Sequence, residues 1–110
     1  MSSPMFVDKS DCSKHTIFPG VTVSTAAGQE MMLSLAELDP NAEVELHSHP
    51  HEQVGMVIEG SARFIVGDEE QVLTPGKMYL IPGGVPHRVI ALEDGCKALD
   101  IFHPIREDYR

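Results

Sequence analysis

The sequence predicts an all-β domain, and three observations carry that expectation. Short apolar runs alternate with turn residues along most of the chain, and helix-length periodic segments are hard to find. The apolar content is aliphatic rather than aromatic, with 42% hydrophobic residues but only four Phe, two Tyr and no Trp. Short runs bounded by Gly, Pro, Asn and Asp read as strands of a β-sandwich or small barrel.

A chain of 110 residues is most simply one domain with one core. Residues 1–19 are polar and mixed and close at Phe18-Pro19-Gly20, which reads as an N-terminal arm. Residues 20–110 then hold the barrel and a short C-terminal tail. Strands are expected at Val21–Thr25, Met31–Leu38, Val44–His49, Val54–Ile58, Ala62–Val66, Gln71–Leu73, Met78–Ile81, His87–Leu92 and Ala98–Phe102. Turn signals separate many of them: Asp39-Pro40-Asn41, Glu59-Gly60, Gly67-Asp68, Pro75-Gly76, Pro82-Gly83-Gly84 and Glu93-Asp94-Gly95. Val54–Ile58 and Ala98–Phe102 are apolar on both faces. One face fills the interior, and the other needs a second sheet, the arm or another subunit to cover it, so a homodimer is expected.

The net charge of −9 disfavours non-specific contact with nucleic acid or anionic membrane, because the long-range field repels phosphate. It leaves room for a small anionic ligand wherever local cations outweigh that field. Cys12 and Cys96 follow no CxxC pattern and read as two unpaired thiols of a reducing compartment. The N-terminus shows no basic segment followed by an apolar run, and no apolar run approaches the roughly 20 residues that span a bilayer. The expectation is a soluble, cytoplasmic protein.

The stretch HSHPHEQ, residues 47–53, crowds three histidines, a glutamate and a glutamine together. Imidazole is the commonest side-chain metal ligand. Side chains alternate along a strand, so His47 and His49 fall on one face as a two-pronged ligand set. Pro50 cannot donate to a ladder and ends that strand. Gln53 opens the next run, where antiparallel pairing returns it beside the pair. A distant ligand is needed, and His87, delivered by the rigid PGGVP turn, is the best candidate. His51 is expected behind the ligands or at a pocket mouth, and Glu52 in solvent.

These residues resemble the cupin superfamily. Its first motif runs H-x-H, three or four residues, an acid, six residues, then Gly; His47, His49, Gln53 and Gly60 stand at those spacings. Its second runs G-x5-P-x-G-x2-H-x3-N, matched by Gly76, Pro82, Gly84 and His87. Asn41 replaces the leading glycine of the first motif, and Ala91 the closing asparagine of the second. Gln53 replaces the usual glutamate. The resemblance covers roughly residues 21–103 and implies a double-stranded β-helix, the cupin jelly-roll barrel, usually dimeric, with a metal inside. Three neutral imidazoles and an amide leave a divalent ion its full charge, which suits an anionic substrate. Nitrogen and oxygen ligands accept Zn, Ni, Mn, Fe or Co.

Asp100 sits inside the last strand run on the face of Ala98 and Phe102. A carboxylate among apolar neighbours is costly unless paired, and burial raises its pKa towards proton transfer. Arg106 offers a planar fork for a carboxylate. HSHPHEQ, IPGGVPH and LDIFHPIRED together resemble the small cupins of pectin and alginate breakdown, which open the ring of unsaturated uronate monosaccharides. That resemblance implies a metal on His47, His49, Gln53 and His87, and a pocket lined by Asp100, Phe102 and Arg106. It implies a metal-dependent, isomerase-type enzyme acting on a small anionic sugar. An iron-dependent cupin dioxygenase and a non-enzymatic sugar- or small-molecule-binding cupin are the rival readings.

Overall fold

The computed structural model describes residues 5–110. Eight strands follow one another: β1 (Ser13–Phe18), β2 (Val21–Ala27), β3 (Met32–Leu38), β4 (Glu43–His47), β5 (Glu52–Val66), β6 (Glu69–Leu73), β7 (Met78–Ile81) and β8 (His87–His103). The segment β3 shows why: Met32, Ser34, Ala36 and Leu38 are buried, while the residues between them are exposed or half-buried. Side chains on alternate faces of a strand let every second residue enter the core.

All strand pairs are antiparallel, in the order β1-β2-β3-β8-β5-β6, with β4 also pairing β8 and β7 also pairing β5. The long strands β5 and β8 run side by side from the pair Glu52–His103 to the pair Val66–His87. The first part of β8 pairs β4, and its later part pairs β3. Changing partners along one strand curls the sheet into a barrel. Its interior is filled by Val21, Val57, Ala62, Ile81 and Ala91, each no more than 1% exposed. Burying a Val or Ile side chain among them contributes roughly 1.5–3 kcal/mol.

Two expected turns are bends instead. Val54–Ile58 and Ala62–Val66 are one strand, β5, and His87–Leu92 and Ala98–Phe102 are one strand, β8. Gly60 and Gly95, read as turn residues, both have φ of +72° and lie against each other; a Cβ on Gly60 would collide with the Gly95 carbonyl. Pairing shifts register beside Gly60, so both strands bend together without ending. The expected strand Val44–His49 stops at His47, after a register shift between Val44 and His47. Asn41 does take a left-handed turn conformation, at φ +64°.

Part of the expected arm is structured: Ser13–Phe18 is the edge strand β1, and Lys9–Asp11 forms a 3₁₀ turn. Residues 1–4 of that arm lie outside the described residues. Cys12 and Cys96 are free thiols. Among the described residues, no helix is long and apolar enough to cross a membrane.

The outward face of β3, β8, β5 and β7 carries two apolar rows. Leu33, Ile101, Val54 and Leu80 stand opposite one another, and Leu35, Leu99, Met56 and Met78 form the adjacent row. Met78 and Leu80 are 70% and 76% exposed. The row Glu37–Lys97–Glu59 bounds this face on one side and the pair His103–Glu52 on the other.

Candidate metal centre and adjoining pocket

His47 ends β4 and pairs with His87, the first residue of β8. His49 lies beyond the strand, in the loop before β5, where its carbonyl accepts a 2.8 Å bond from the Gly84 N–H. The PGGVP turn therefore holds the HSHPH loop while delivering His87. The three rings lie 4.3–5.6 Å apart between centroids, and one ligand atom from each falls within 4.8 Å of the others. His49 and His87 are buried, at 8% and 2% exposure.

The tautomers follow from the backbone. Nδ1 of His47, His49 and His87 faces the carbonyl of Glu45, His51 and Val85 at 2.9, 3.0 and 2.9 Å. A carbonyl only accepts, so the Nδ1 of His47 and of His87 carries the N–H and their Nε2 keeps its lone pair; His49 faces an acceptor oxygen from both nitrogens and matches them when its proton sits on Nδ1. The buried Nε2 of His87 has no hydrogen-bond partner among the described residues. Burial, helped by the Arg106 charge and the neighbouring His87, pushes the His49 imidazole down to about 4. Burial likewise pushes His87 down. Both rings are neutral at pH 7, as metal ligation requires.

Gln53, on β5, points its amide at this cluster, with Oε1 3.0 Å from His49 Nε2. Its Nε2 donates to Asp100 Oδ1 at 3.2 Å. With the His49 proton on Nδ1, the 3.0 Å contact joins two acceptors, an arrangement that a cation between them would make favourable. The donor set thus fits a divalent ion held by three imidazoles and one amide oxygen. His51 contributes its carbonyl to His49, while its own Nδ1 is buried without a partner. Glu52 is exposed, and its strand neighbour His103 is exposed as well.

One cavity joins this cluster to the second group of expected residues: His47, Gln53 and His87 line it together with Asp100, Phe102 and Arg106. Asp100 is 6% exposed. Burial pushes its carboxyl up to about 6, against the hydrogen bonds from Tyr79 and Gln53 and the charge of Arg106. Phe102 packs edge-on against the His49 ring at 5.7 Å.

Arg106 is buried, with its guanidinium carbon 3.9 Å from the Tyr109 ring centre and 5.2 Å from that of Phe102. Both faces engage it by cation–π attraction. Its fork grips Asp108 at 2.9 and 3.3 Å. The Tyr109 carbonyl is held by Thr25 Oγ1 and His15 Nε2, tying the tail back to β1 and β2.

Three participants lie outside the sequence-derived set: Tyr79, which hydrogen-bonds Asp100, and Asp108 and Tyr109, which hold Arg106. Alternation in Met78–Ile81 turns Tyr79 inward beside Ile81, a signal available from sequence. Asp108 and Tyr109 follow the last strand, where no periodicity points to them.

A family model described as "Cupin domain" matches residues 34–102. The chain is similar to the pectin degradation protein KdgF of Dickeya dadantii, 33% identical over 64 residues that cover 57% of this chain and 58% of that protein. It is also similar to oxalate decarboxylase OxdC of Bacillus subtilis, 34% identical over 88 residues, covering 74% of this chain and 23% of that protein. Less than two thirds of either relative is spanned. Among solved structures, an RmlC-like cupin from Shewanella frigidimarina superposes with TM-score 0.88 at 29% identity, covering 98% of this chain and 97% of that one. KdgF from Halomonas sp. gives TM-score 0.84 at 27% identity, with 94% and 97% covered.

Proposed function

Because the chain belongs to the cupin family, we propose that its pocket serves the metal-dependent opening of an unsaturated uronate monosaccharide to its open-chain keto form. The observation carrying this reading is the buried Asp100 carboxyl, set between Gln53 and Tyr79 in the cavity that Arg106 also lines. Similarity to two KdgF proteins, one described as a pectin degradation protein, supports the substrate class.

A divalent ion on His47, His49, Gln53 and His87 would supply Lewis acidity towards a sugar oxygen. Ring opening needs the anomeric hydroxyl to lose its proton while the bond from the anomeric carbon to the ring oxygen breaks. Those electrons leave an enolate conjugated with the carboxylate, and a proton added at carbon completes the ketone. Asp100 takes the first proton and returns it, so the reaction is an isomerisation with no net exchange of atoms. Both of its hydrogen-bond donors converge on Oδ1, which reserves Oδ2 for this transfer.

Arg106 holds the substrate carboxylate with its fork, and Phe102 packs on the sugar face. The cavity volume of about 50 Å³ suits an ion and a few waters, at roughly 10–15 Å³ of such space for each water, rather than a whole sugar. A whole sugar needs this pocket to widen, and in this reading Arg106 exchanges Asp108 for the substrate's carboxylate.

The test is loss of the ultraviolet absorbance of an unsaturated uronate released by a polysaccharide lyase. Metal-loaded protein should accelerate it and metal-stripped protein should not. No acceleration with any divalent metal overturns the reading. Oxygen consumption with iron would instead favour the dioxygenase, and binding without turnover the non-enzymatic cupin.

A further inference from the structure

We propose that Tyr79 is a positioning residue that, acting through Asp100, decides which end of the Gln53 amide faces the three histidines. This rests on reading Gln53 as the fourth metal ligand. It adds how an amide, which has a donor end and an acceptor end, is kept in the one orientation that can bind a cation.

An unrestrained amide beside His49 has two choices. With Oε1 towards His49 Nε2 it meets another lone pair; with its NH₂ end there it gains a hydrogen bond. In the metal-free pocket the second choice is locally better, and it presents N–H groups, which cannot ligate, to the ion. The observed orientation is the first, with Oε1 at 3.0 Å from His49 and Nε2 at 3.2 Å from Asp100. Something on the far side must favour it.

Asp100 is that acceptor, and Tyr79 makes it a reliable one. Burial raises the Tyr79 hydroxyl far above the ordinary tyrosine range, so it keeps its proton. It gives that proton to Oδ1, the same oxygen that receives Gln53 Nε2. With the phenol proton on Oδ1, any proton that Asp100 itself carries must sit on Oδ2, so Oδ1 stays an acceptor towards Gln53 Nε2 and would repel the Gln53 carbonyl. The amide is thereby turned with its nitrogen outward and its oxygen towards the histidines.

The backbone leaves room for this chain of contacts at one residue. A Cβ on Gly55 would lie 2.5 Å from Asp100 Oδ1 and 2.5 Å from the Tyr79 hydroxyl. Gly55 pairs with Asp100 on one side and Tyr79 on the other. Glycine at this strand interior, where it ordinarily weakens a sheet, marks a close approach.

The experiment uses Zn(II) as probe and affinity as readout, measured by chelator competition on the full chain. Tyr79→Phe, which removes only the hydroxyl, should weaken Zn(II) binding roughly 10- to 100-fold. Gly55→Ala should do the same by displacing the Tyr79 ring. Gln53→Ala should weaken binding too, and adding Tyr79→Phe to it should then cost nothing further.

If Gln53→Ala leaves Zn(II) affinity unchanged, the ligand reading of Gln53 has failed. If Gln53→Ala weakens binding but Tyr79→Phe does not, or if the two losses add in full, the positioning role has failed. The wild-type chain gives a reading that needs no variant. The Gln53 side-chain amide protons should be hydrogen-bonded and slow to exchange before Zn(II) is added. An amide that is free without the metal and orders only with it overturns the proposal.

Discussion

His49 Nε2 and Gln53 Oε1 face one another at 3.0 Å, and with the His49 proton on the His51 carbonyl they meet as two acceptors. Repulsion between them is a cost of the metal-free state that a bound cation converts into attraction. Zn(II) should therefore stabilise the fold by mass action, by roughly 4 kcal/mol at a thousand times its dissociation constant. At about 4–8 °C per kcal/mol for a domain of this size, the melting temperature should rise by tens of degrees. Calorimetry with and without the ion checks this. His87→Ala should abolish the shift; a shift that survives places the ion elsewhere.

Asp100→Asn keeps the shape of the side chain and removes its basicity. Proton transfer by a positioned side chain typically contributes 10²–10⁴-fold, so kcat for uronate opening should fall by roughly that factor. KM should change little, since Arg106 is untouched. A variant that keeps full kcat removes Asp100 from the chemistry.

Asp108 occupies the Arg106 fork in the place proposed for the substrate carboxylate. Asp108→Asn should weaken this internal competitor and lower KM for an anionic sugar several-fold. Arg106→Lys, which loses the bidentate fork, should raise it. Steady-state kinetics separate the two, and unchanged KM in both would show that the carboxylate binds at another place.

Cys96 is 4% exposed, and burial, with the charges of Asp100 and Asp94, pushes its thiol up to about 11. The folded state thus prefers the protonated thiol. Its contribution is intact below the unfolded thiol's pKa, near 8.5, and is lost as pH rises through about 11. Denaturant midpoints should fall over that window, and Cys96→Ser should flatten the fall. In native protein at pH 8, a thiol reagent should reach Cys12 first and Cys96 only after unfolding.

The two apolar rows on β3, β8, β5 and β7 are the face on which the expected homodimer is predicted to form. A two-fold axis would lay these rows on their copies and leave the flanking charged rows in solvent, the usual isologous arrangement. Sedimentation should give a dimer, and Leu80→Asp should dissociate it with a loss of about 2–4 kcal/mol in association. A wild-type monomer at micromolar concentration would refute this.

The histidine cluster is readable from the sequence because its spacing survives folding: HSHPHEQ and IPGGVPH run through loops that pack on each other. Parity alone is a poor reason for pairing His47 with His49, since β4 ends before His49. The site forms because a loop carbonyl is caught by Gly84. Gly60 and Gly95 look like turn residues, as glycine punctuates loops and bends alike. Only their mutual contact shows that two strands flex together. Inward placement of Tyr79 is legible from alternation, but its partner Asp100 lies on another strand. The hold of Asp108 and Tyr109 on Arg106 follows from a tail whose path no periodic signal describes.

The bend at Gly60 and Gly95 has a consequence for how this barrel can change. It keeps β8 continuous, so His87 at its start and Asp100 and Phe102 near its end ride on one beam. The three clustered histidines are braced by loops at the start of that beam, while Arg106, Asp108 and Tyr109 lie beyond its far end. Grafting a different sequence after His103 would replace the groups proposed to choose the ligand and spare those proposed to bind an ion. Selectivity can therefore drift in such a barrel without the metal centre having to be rebuilt.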